Sequence, residues 1–133
     1  MSLNIIVIDD SPMQLLMSTN LIQQNRQLNL LGAFTNPFLG LKAINAMDVD
    51  IVLLDVEMPE IDGFSLKKLL GDPIKVIMYS SRSLFEFQAY AQGAIDFIHK
   101  PLNTERLDNS VAKVLQEEIA SQHQEKEFSA LAS

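Results

Sequence analysis

Acidic residues directly follow two apolar runs of this sequence, and their carboxylates are the groups best suited to chemistry. Asp9 and Asp10 come after the run 3–8, and Asp55 comes after the four apolar residues 51–54. A short, fully apolar run predicts a strand buried on both faces, as in a parallel sheet. Ligands bind such sheets at the carboxyl ends of the strands. We therefore expect Asp55 to lie at the bottom of a cleft with the other two acids beside it.

Two further polar side chains come after apolar runs later in the chain, Ser80 after the run 74–79 and Lys100 shortly after the run 95–98. Three clustered carboxylates repel one another and raise at least one pKa unless a cation lies among them. Oxygen ligands without His or Cys favour Mg²⁺, which binds one or two carboxylates together with phosphate oxygens. The lysine ammonium and the serine hydroxyl suit a phosphoryl group, and a carboxylate, Asp55 above all, can accept that group as a nucleophile.

Five apolar runs alternate with five segments of helical character. The strands are predicted at 3–8, 28–34, 51–54, 74–79 and 95–98. This alternation predicts an α/β fold: a doubly wound (βα)5 parallel sheet between two layers of helices, joined by right-handed crossovers. The first, third and fourth runs are the most apolar, so we place them at the centre of the sheet. The other two strands then lie at the edges, which gives the order 2-1-3-4-5.

Capping residues predict where the helices begin and end. Ser11 and Asn36 each precede a proline, which combines an N-cap side chain with a residue suited to the first helical turn. Ser83 and Thr104 are the predicted caps of the fourth and fifth helices. Gly93 is suited to the left-handed conformation that often ends a helix.

Apolar spacing predicts which helix faces are buried. Leu66, Leu69 and Leu70 indicate the helix after Asp55, and the stripe from Leu107 to Ile119 indicates a last helix. The six methionines are predicted to fill the core.

The composition restricts the class of protein. A chain of 133 residues with 47% apolar content is enough for one domain with one core. Its formal charge of −7 disfavours direct binding to nucleic acid, which needs a basic face. Without cysteine there is neither a disulfide framework nor a thiolate metal site. No apolar stretch is long enough to span a membrane and no export signal is evident, so we expect a cytoplasmic location.

The last residues of the chain differ from the rest. From Ser121 onward they are mostly polar, which predicts a helix extension or linker over 121–133 after a domain that covers 1–120.

The combination of these residues resembles the receiver domain of bacterial two-component response regulators. The resemblance covers residues 4 to about 119, and it implies a flavodoxin-like fold. It rests on the two acids after the first strand, on Asp55 with Met58-Pro59 and Asp62-Gly63 behind it, on Ser80, and on Lys100-Pro101.

The resemblance also implies a role for each of these residues. Asp55 would accept a phosphoryl group from a sensor histidine kinase or a phosphotransfer protein. Mg²⁺ or Mn²⁺ would be bound by Asp10, Asp55 and the main-chain carbonyl of Glu57, with Asp9 acting through water. Ser80 and Lys100 would contact the phosphoryl group, and Phe97, at the switch aromatic position, would turn inward. Such a domain is a switch that phosphorylates and slowly dephosphorylates itself, not a turnover enzyme, and it can form a phosphorylation-linked homodimer.

A weaker resemblance concerns the output of the switch. Thr35-Asn36-Pro37, the segment 93–97 and Glu105-Arg106 are similar to receivers that precede a LytTR-type DNA-binding domain, which would make the whole protein a transcription regulator. No such domain lies within this chain. The resemblance also implies that Glu57 and Arg82 occupy positions that influence how long the phosphorylated state lasts.

Two other functions remain open at this point. A haloacid-dehalogenase-like phosphatase also uses an aspartyl nucleophile and Mg²⁺, but it needs a second aspartate two residues on, where Glu57 stands here. A phosphorylation-independent interaction module could have the same fold, although the presence of Asp10, Asp55 and Lys100 argues against it. The ordinary reading of Phe97 is a core residue, and that of Asp9 and Asp10 is a pair of acids at a helix N-terminus.

Overall fold

A computed structural model describes residues 2–132 of the chain, which form a parallel five-stranded sheet with helices on both faces. The strands are β1 (Leu3–Ile8), β2 (Leu28–Phe34), β3 (Ile51–Asp55), β4 (Lys75–Ser80) and β5 (Asp96–His99). The helices are α1 (Pro12–Gln23), α2 (Pro37–Ala46), α3 (Gly63–Lys67), α4 (Glu86–Ala91) and α5 (Thr104–Ala132). The strand order β2-β1-β3-β4-β5 confirms the predicted flavodoxin-like topology.

The sheet separates two hydrophobic cores because alternate side chains of each strand point to opposite faces. One core contains the buried α5 residues Leu107, Val111 and Val114 together with Ile22 of α1. The other core contains apolar residues of α2, α3 and α4. All five residues of β3 are buried, so the most apolar run of the sequence is indeed the central strand. Its last residue is Asp55, which therefore lies at the carboxyl end of the central strand.

Two predicted caps are wrong. The last helix is capped by Asn103 and not by the predicted Thr104. The Asn103 side chain accepts a hydrogen bond from the Arg106 amide at 2.8 Å, and Thr104 is the first helical residue. Ser83 caps no α-helix, because a 3₁₀ turn at Ser83–Phe85 precedes α4. The caps at Ser11 and Asn36 are confirmed, and Gly93 has the predicted left-handed conformation with φ of 87°.

The predicted stripes also need correction. The third helix ends at Lys67, before Leu69, which is 56% exposed. In α1, Met13 is 68% exposed, and the helix packs on the sheet through Ser18 and Ile22. Periodicity alone does not identify the buried face when apolar residues lie on both sides of a helix. The methionines therefore only partly fill the core. Exposed examples are Met13, Met17 and Met47, and buried ones are Met58 and Met78.

The last helix continues well beyond the sheet. Leu107, Val111 and Val114 are buried, whereas Ile119 is 66% exposed and the side chains of residues 119–131 all face solvent. The described part of the chain has no helix with both the length and the apolar character needed to cross a bilayer.

A buried carboxylate at the start of β5 links this strand to the two helices that flank it. Asp96 accepts hydrogen bonds from Arg106 at 2.7 and 2.8 Å, from Lys113 at 2.7 Å, from Ser110 at 2.5 Å and from Tyr90 at 2.8 Å. Burial alone would raise the pKa of Asp96, but these donors outweigh burial and hold its pKa well below the ordinary value. The ionised carboxylate thus fixes α4 and α5 against the edge strand.

Asp96→Asn should therefore destabilise the fold by about 2–4 kcal/mol at neutral pH, because it leaves two cations without their buried partner. A depressed pKa means that the stabilisation is present above the ordinary pKa of 3.8 and is lost as the pH falls below it. Urea denaturation measures the change, and Asp108→Asn on the exposed side of α5 is the matched control. Equal unfolding midpoints for the two variants at neutral pH would contradict the assignment.

Candidate phosphoacceptor site

The ends of three neighbouring strands bring the predicted site residues together. Because β1, β3 and β4 are parallel, their carboxyl ends lie at one edge of the sheet. Oxygen atoms of Asp9, Asp10 and Asp55 lie within 4.8 Å of one another there. Asp9 and Asp55 are buried, and Asp10 is partly exposed. The predicted acidic cluster is thus present, and its mouth opens to solvent beside Asp10.

A single lysine bridges the two buried acids. Lys100 lies just beyond β5, and its Nζ donates to Asp9 Oδ2 at 3.0 Å and to Asp55 Oδ1 at 3.2 Å. The Lys100 side chain is 11% exposed, so water screens these contacts little. The loop that carries it is held by a hydrogen bond from the Lys100 amide to the Ser80 carbonyl at 2.9 Å and contains a cis peptide bond before Pro101.

One lysine does not balance three carboxylates. Burial and the neighbouring Asp9 charge raise the pKa of Asp55 from 3.8 to about 7, and the opposing effect of Lys100 is too small to prevent it. Asp10 adds to the increase. Asp55 is therefore a carboxylate whose ionised form needs another positive charge nearby.

These groups suit a hard divalent cation. The cluster offers carboxylate oxygens from two strands, contains neither His nor Cys, and has more negative charge than Lys100 can neutralise. Mg²⁺ prefers such oxygen ligands and keeps several waters, for which the partly exposed side of Asp10 leaves access. The residues present thus fit the predicted ion.

Tyr79 is a member of the site that the sequence reasoning missed. It precedes Ser80 in β4, is fully buried, and donates a hydrogen bond from its hydroxyl to Asp9 Oδ2 at 2.5 Å. Burial and the Asp9 charge raise the pKa of Tyr79, so the hydroxyl remains protonated and acts as a donor. A signal was available: a tyrosine at the end of a buried strand needs a polar partner for its hydroxyl.

The segment after Asp55 closes tightly against the strand. The Gly63 amide donates to the Val56 carbonyl at 2.7 Å, and a Cβ atom at position 63 would clash with the Asp55 carbonyl oxygen. Asp62 caps α3 by accepting a hydrogen bond from the Ser65 amide at 2.8 Å. The Asp62-Gly63 pair therefore begins a helix against the end of β3, and only glycine permits this approach.

The remaining predicted residues surround the cluster in different ways. Ser80 is buried at the end of β4, where its hydroxyl accepts a hydrogen bond from the Arg82 amide at 3.0 Å. The Glu57 side chain points to solvent and pairs with Arg82 at 3.3 Å. Phe97 is buried among apolar residues of the core that contains α4, as the core interpretation predicted.

The chain is similar to a known family and to several known proteins. The family model of the response regulator receiver domain matches residues 5–112. An uncharacterized response regulatory protein of Vibrio cholerae is 32% identical over 131 residues, which cover 97% of this chain and 53% of that protein. A protein-glutamate methylesterase/protein-glutamine glutaminase of Geobacter sulfurreducens is 36% identical over 103 residues, which cover 74% of this chain and 28% of that protein. The chain thus spans about half or less of the length of these relatives.

Solved structures show the same fold. The response regulatory domain of mrkE from Klebsiella pneumoniae has a TM-score of 0.76 at 22% identity and covers 86% of this chain and 97% of its own. A CheX-CheY-BeF3-Mg²⁺ complex from Borrelia burgdorferi has a TM-score of 0.74 at 23% identity and covers 85% of this chain and 89% of its own. With the family model matching more than half of the chain, the protein belongs to the response regulator receiver domain family.

Proposed function

We propose that the chain is a phosphoacceptor switch, in which Asp55 receives a phosphoryl group from a sensor histidine kinase or a phosphotransfer protein. The observation that carries the proposal is the placement of Asp55: it is buried at a strand end, it contacts Lys100 at 3.2 Å, and two further carboxylates lie beside it. This set of groups has no evident use in packing, since two buried acids and a third, partly exposed acid beside one lysine destabilise the fold.

In the proposed reaction an Asp55 carboxylate oxygen attacks phosphorus and forms a new P–O bond. The bond from phosphorus to the donor nitrogen breaks, and its electron pair stays on the donor imidazole. Lys100 stabilises the added negative charge, and the Ser80 hydroxyl is suited to bind one of the phosphoryl oxygens. Asp10, Asp55 and the Glu57 main-chain carbonyl would hold Mg²⁺ or Mn²⁺, with Asp9 acting through water. The ion would supply positive charge that neutralises the phosphoryl oxygens.

The proposed conformational response runs through β4 and β5. Ser80 would move toward the phosphoryl group, and Phe97, already buried here, would adjust with it. A change of this kind shifts an existing equilibrium between two states. The changed surface would be recognised by an output domain, for which a DNA-binding domain is the expected type. It could instead be recognised by a separate partner or by a second copy of the chain. For a chain with this role we propose a cytoplasmic location.

We also propose that the switch domain ends near residue 120. Residues of α5 up to Leu115 contact the sheet, whereas those after Glu118 are exposed. The segment 121–133 would then be an extension that links the domain to what it controls.

The test is incubation of the chain with acetyl phosphate and intact mass measurement. We expect a mass gain of one phosphoryl group in the presence of Mg²⁺ and none when EDTA removes the metal, because the acids then repel the incoming phosphoryl oxygens. Steady release of phosphate without a retained phosphoryl group would instead indicate a phosphatase. The exposed Glu57, paired with Arg82, is poorly placed as the second acid of such an enzyme.

A further inference from the structure

Tyr79 touches two of the charged groups of the site at once. Its hydroxyl donates to Asp9 Oδ2 at 2.5 Å and receives a longer contact, 3.4 Å, from the Ser18 hydroxyl of α1. The Lys100 ammonium lies 4.5 Å from the centre of the Tyr79 ring, within range of a cation–π interaction. The tyrosine therefore contacts both the acid and the cation that flank Asp55.

The hydrogen bonds of Asp9 show what this contact does. A carboxylate has about four lone pairs to share. On Asp9, Oδ2 accepts from Tyr79 and from Lys100, and Oδ1 accepts from the Ser11 amide at 3.0 Å. One acceptor position remains. With one acceptor position left and part of its negative charge already shared with three donors, Asp9 is a weak direct ligand for a metal ion, whereas it can still accept a hydrogen bond from a metal-bound water.

The Tyr79 hydroxyl also affects how Lys100 is shared. Lys100 lies between Asp9 at 3.0 Å and Asp55 at 3.2 Å, so the two acids compete for its charge. A charge-assisted hydrogen bond from Tyr79 spreads part of the negative charge of Asp9 and weakens its attraction for Lys100. More of the lysine charge is then available at Asp55.

We propose that Tyr79 is a positioning residue, which limits Asp9 to an indirect role toward the metal and leaves Lys100 available to Asp55. The inference rests on the proposed function for its second half, whereas the first half concerns metal binding alone. A tyrosine needed only for packing would not need its hydroxyl, since phenylalanine fills almost the same volume.

Tyr79→Phe tests this because it keeps the ring, the packing and the cation–π contact. We expect Mg²⁺ to bind about three- to tenfold more tightly in isothermal titration calorimetry, since Asp9 gains charge and a free lone pair. At saturating Mg²⁺, phosphorylation by acetyl phosphate should be about threefold or more slower, because Lys100 is drawn toward Asp9. Simple loosening of the site would weaken binding and slow the reaction together.

Two further variants make the test specific. Tyr90→Phe removes the other phenol hydroxyl, which donates to Asp96 at the opposite end of β5 from Lys100, and it should leave Mg²⁺ affinity unchanged. In an Asp9→Asn background, Tyr79→Phe should have no effect on affinity, because the acid it acts through has lost its charge.

Affinity that is unchanged or weaker in Tyr79→Phe would overturn the proposal, as would an equal increase in the Asp9→Asn background. If the wild-type chain took up no phosphoryl group, the proposed function would fail, but the Mg²⁺ affinities of the variants would still decide the role of Tyr79.

Discussion

Asp55→Asn is expected to abolish the Mg²⁺-dependent mass gain completely. The amide lacks the charged oxygen that attacks phosphorus, and no other carboxylate of the described cluster is both buried and in contact with Lys100 except Asp9, whose oxygens are already occupied by three donors. Intact mass measurement after incubation with acetyl phosphate gives the result directly.

Asp62→Asn is the matched control for that experiment. Asp62 lies in the same loop, and its side chain caps α3 through the Ser65 amide. Asparagine caps a helix about as well as aspartate, so this variant should keep both the fold and the mass gain. A persistent mass gain in Asp55→Asn would show that the phosphoryl group is bound to another residue and that the site is wrongly assigned.

The second large effect is on stability without metal. Burial and the Asp9 charge raise the pKa of Asp55 to about 7, so the folded state holds its proton more tightly than the unfolded state, where the ordinary value is 3.8. The contribution of Asp55 to stability then falls as the pH rises from about 4, and it levels off only about one unit above pH 7, where Asp55 is ionised in both states. Between pH 5 and pH 8 this costs about 2–3 kcal/mol.

Comparison with Asp55→Asn isolates this contribution from all other titrating groups. In EDTA, urea denaturation should show the variant gaining stability over the wild type by that amount between the two pH values. Mg²⁺ should reduce the difference, because the metal supplies the positive charge that Lys100 alone does not provide. A stability difference that is the same at both pH values would exclude a raised pKa for Asp55.

Much of the fold could be predicted from the chain because its signals are local and consistent. The apolar run 51–54 is typical of a strand buried on both faces, and such runs alternate with helical segments along the chain. The carboxyl ends of parallel strands share one edge, so the sequence alone predicts that Asp9, Asp10 and Asp55 lie together. The same reasoning predicted that Lys100 would reach them.

Other features depend on contacts that local signals do not contain. The exposed Met13 and the buried Ser18 on α1 show that the packing angle of a helix, not its apolar spacing alone, determines its buried face. The sequence predicts a cap at Thr104, one residue after the observed cap at Asn103. Both are good capping residues, and only the backbone geometry distinguishes them.

The sequence by itself determined which reactive side chains the site contains and which strand each of them follows, since both depend on residue type and hydrophobic pattern. Only the tertiary structure decided how the charges are distributed within the site. Lys100 is shared between two acids, and the Tyr79 hydroxyl donates to Asp9, through distances of about 3 Å between residues far apart in the chain. Burial and the neighbouring Asp9 charge, which raise the pKa of Asp55, likewise exist only in the folded chain. Electrostatic interactions vary steeply at such distances, and no local pattern specifies them.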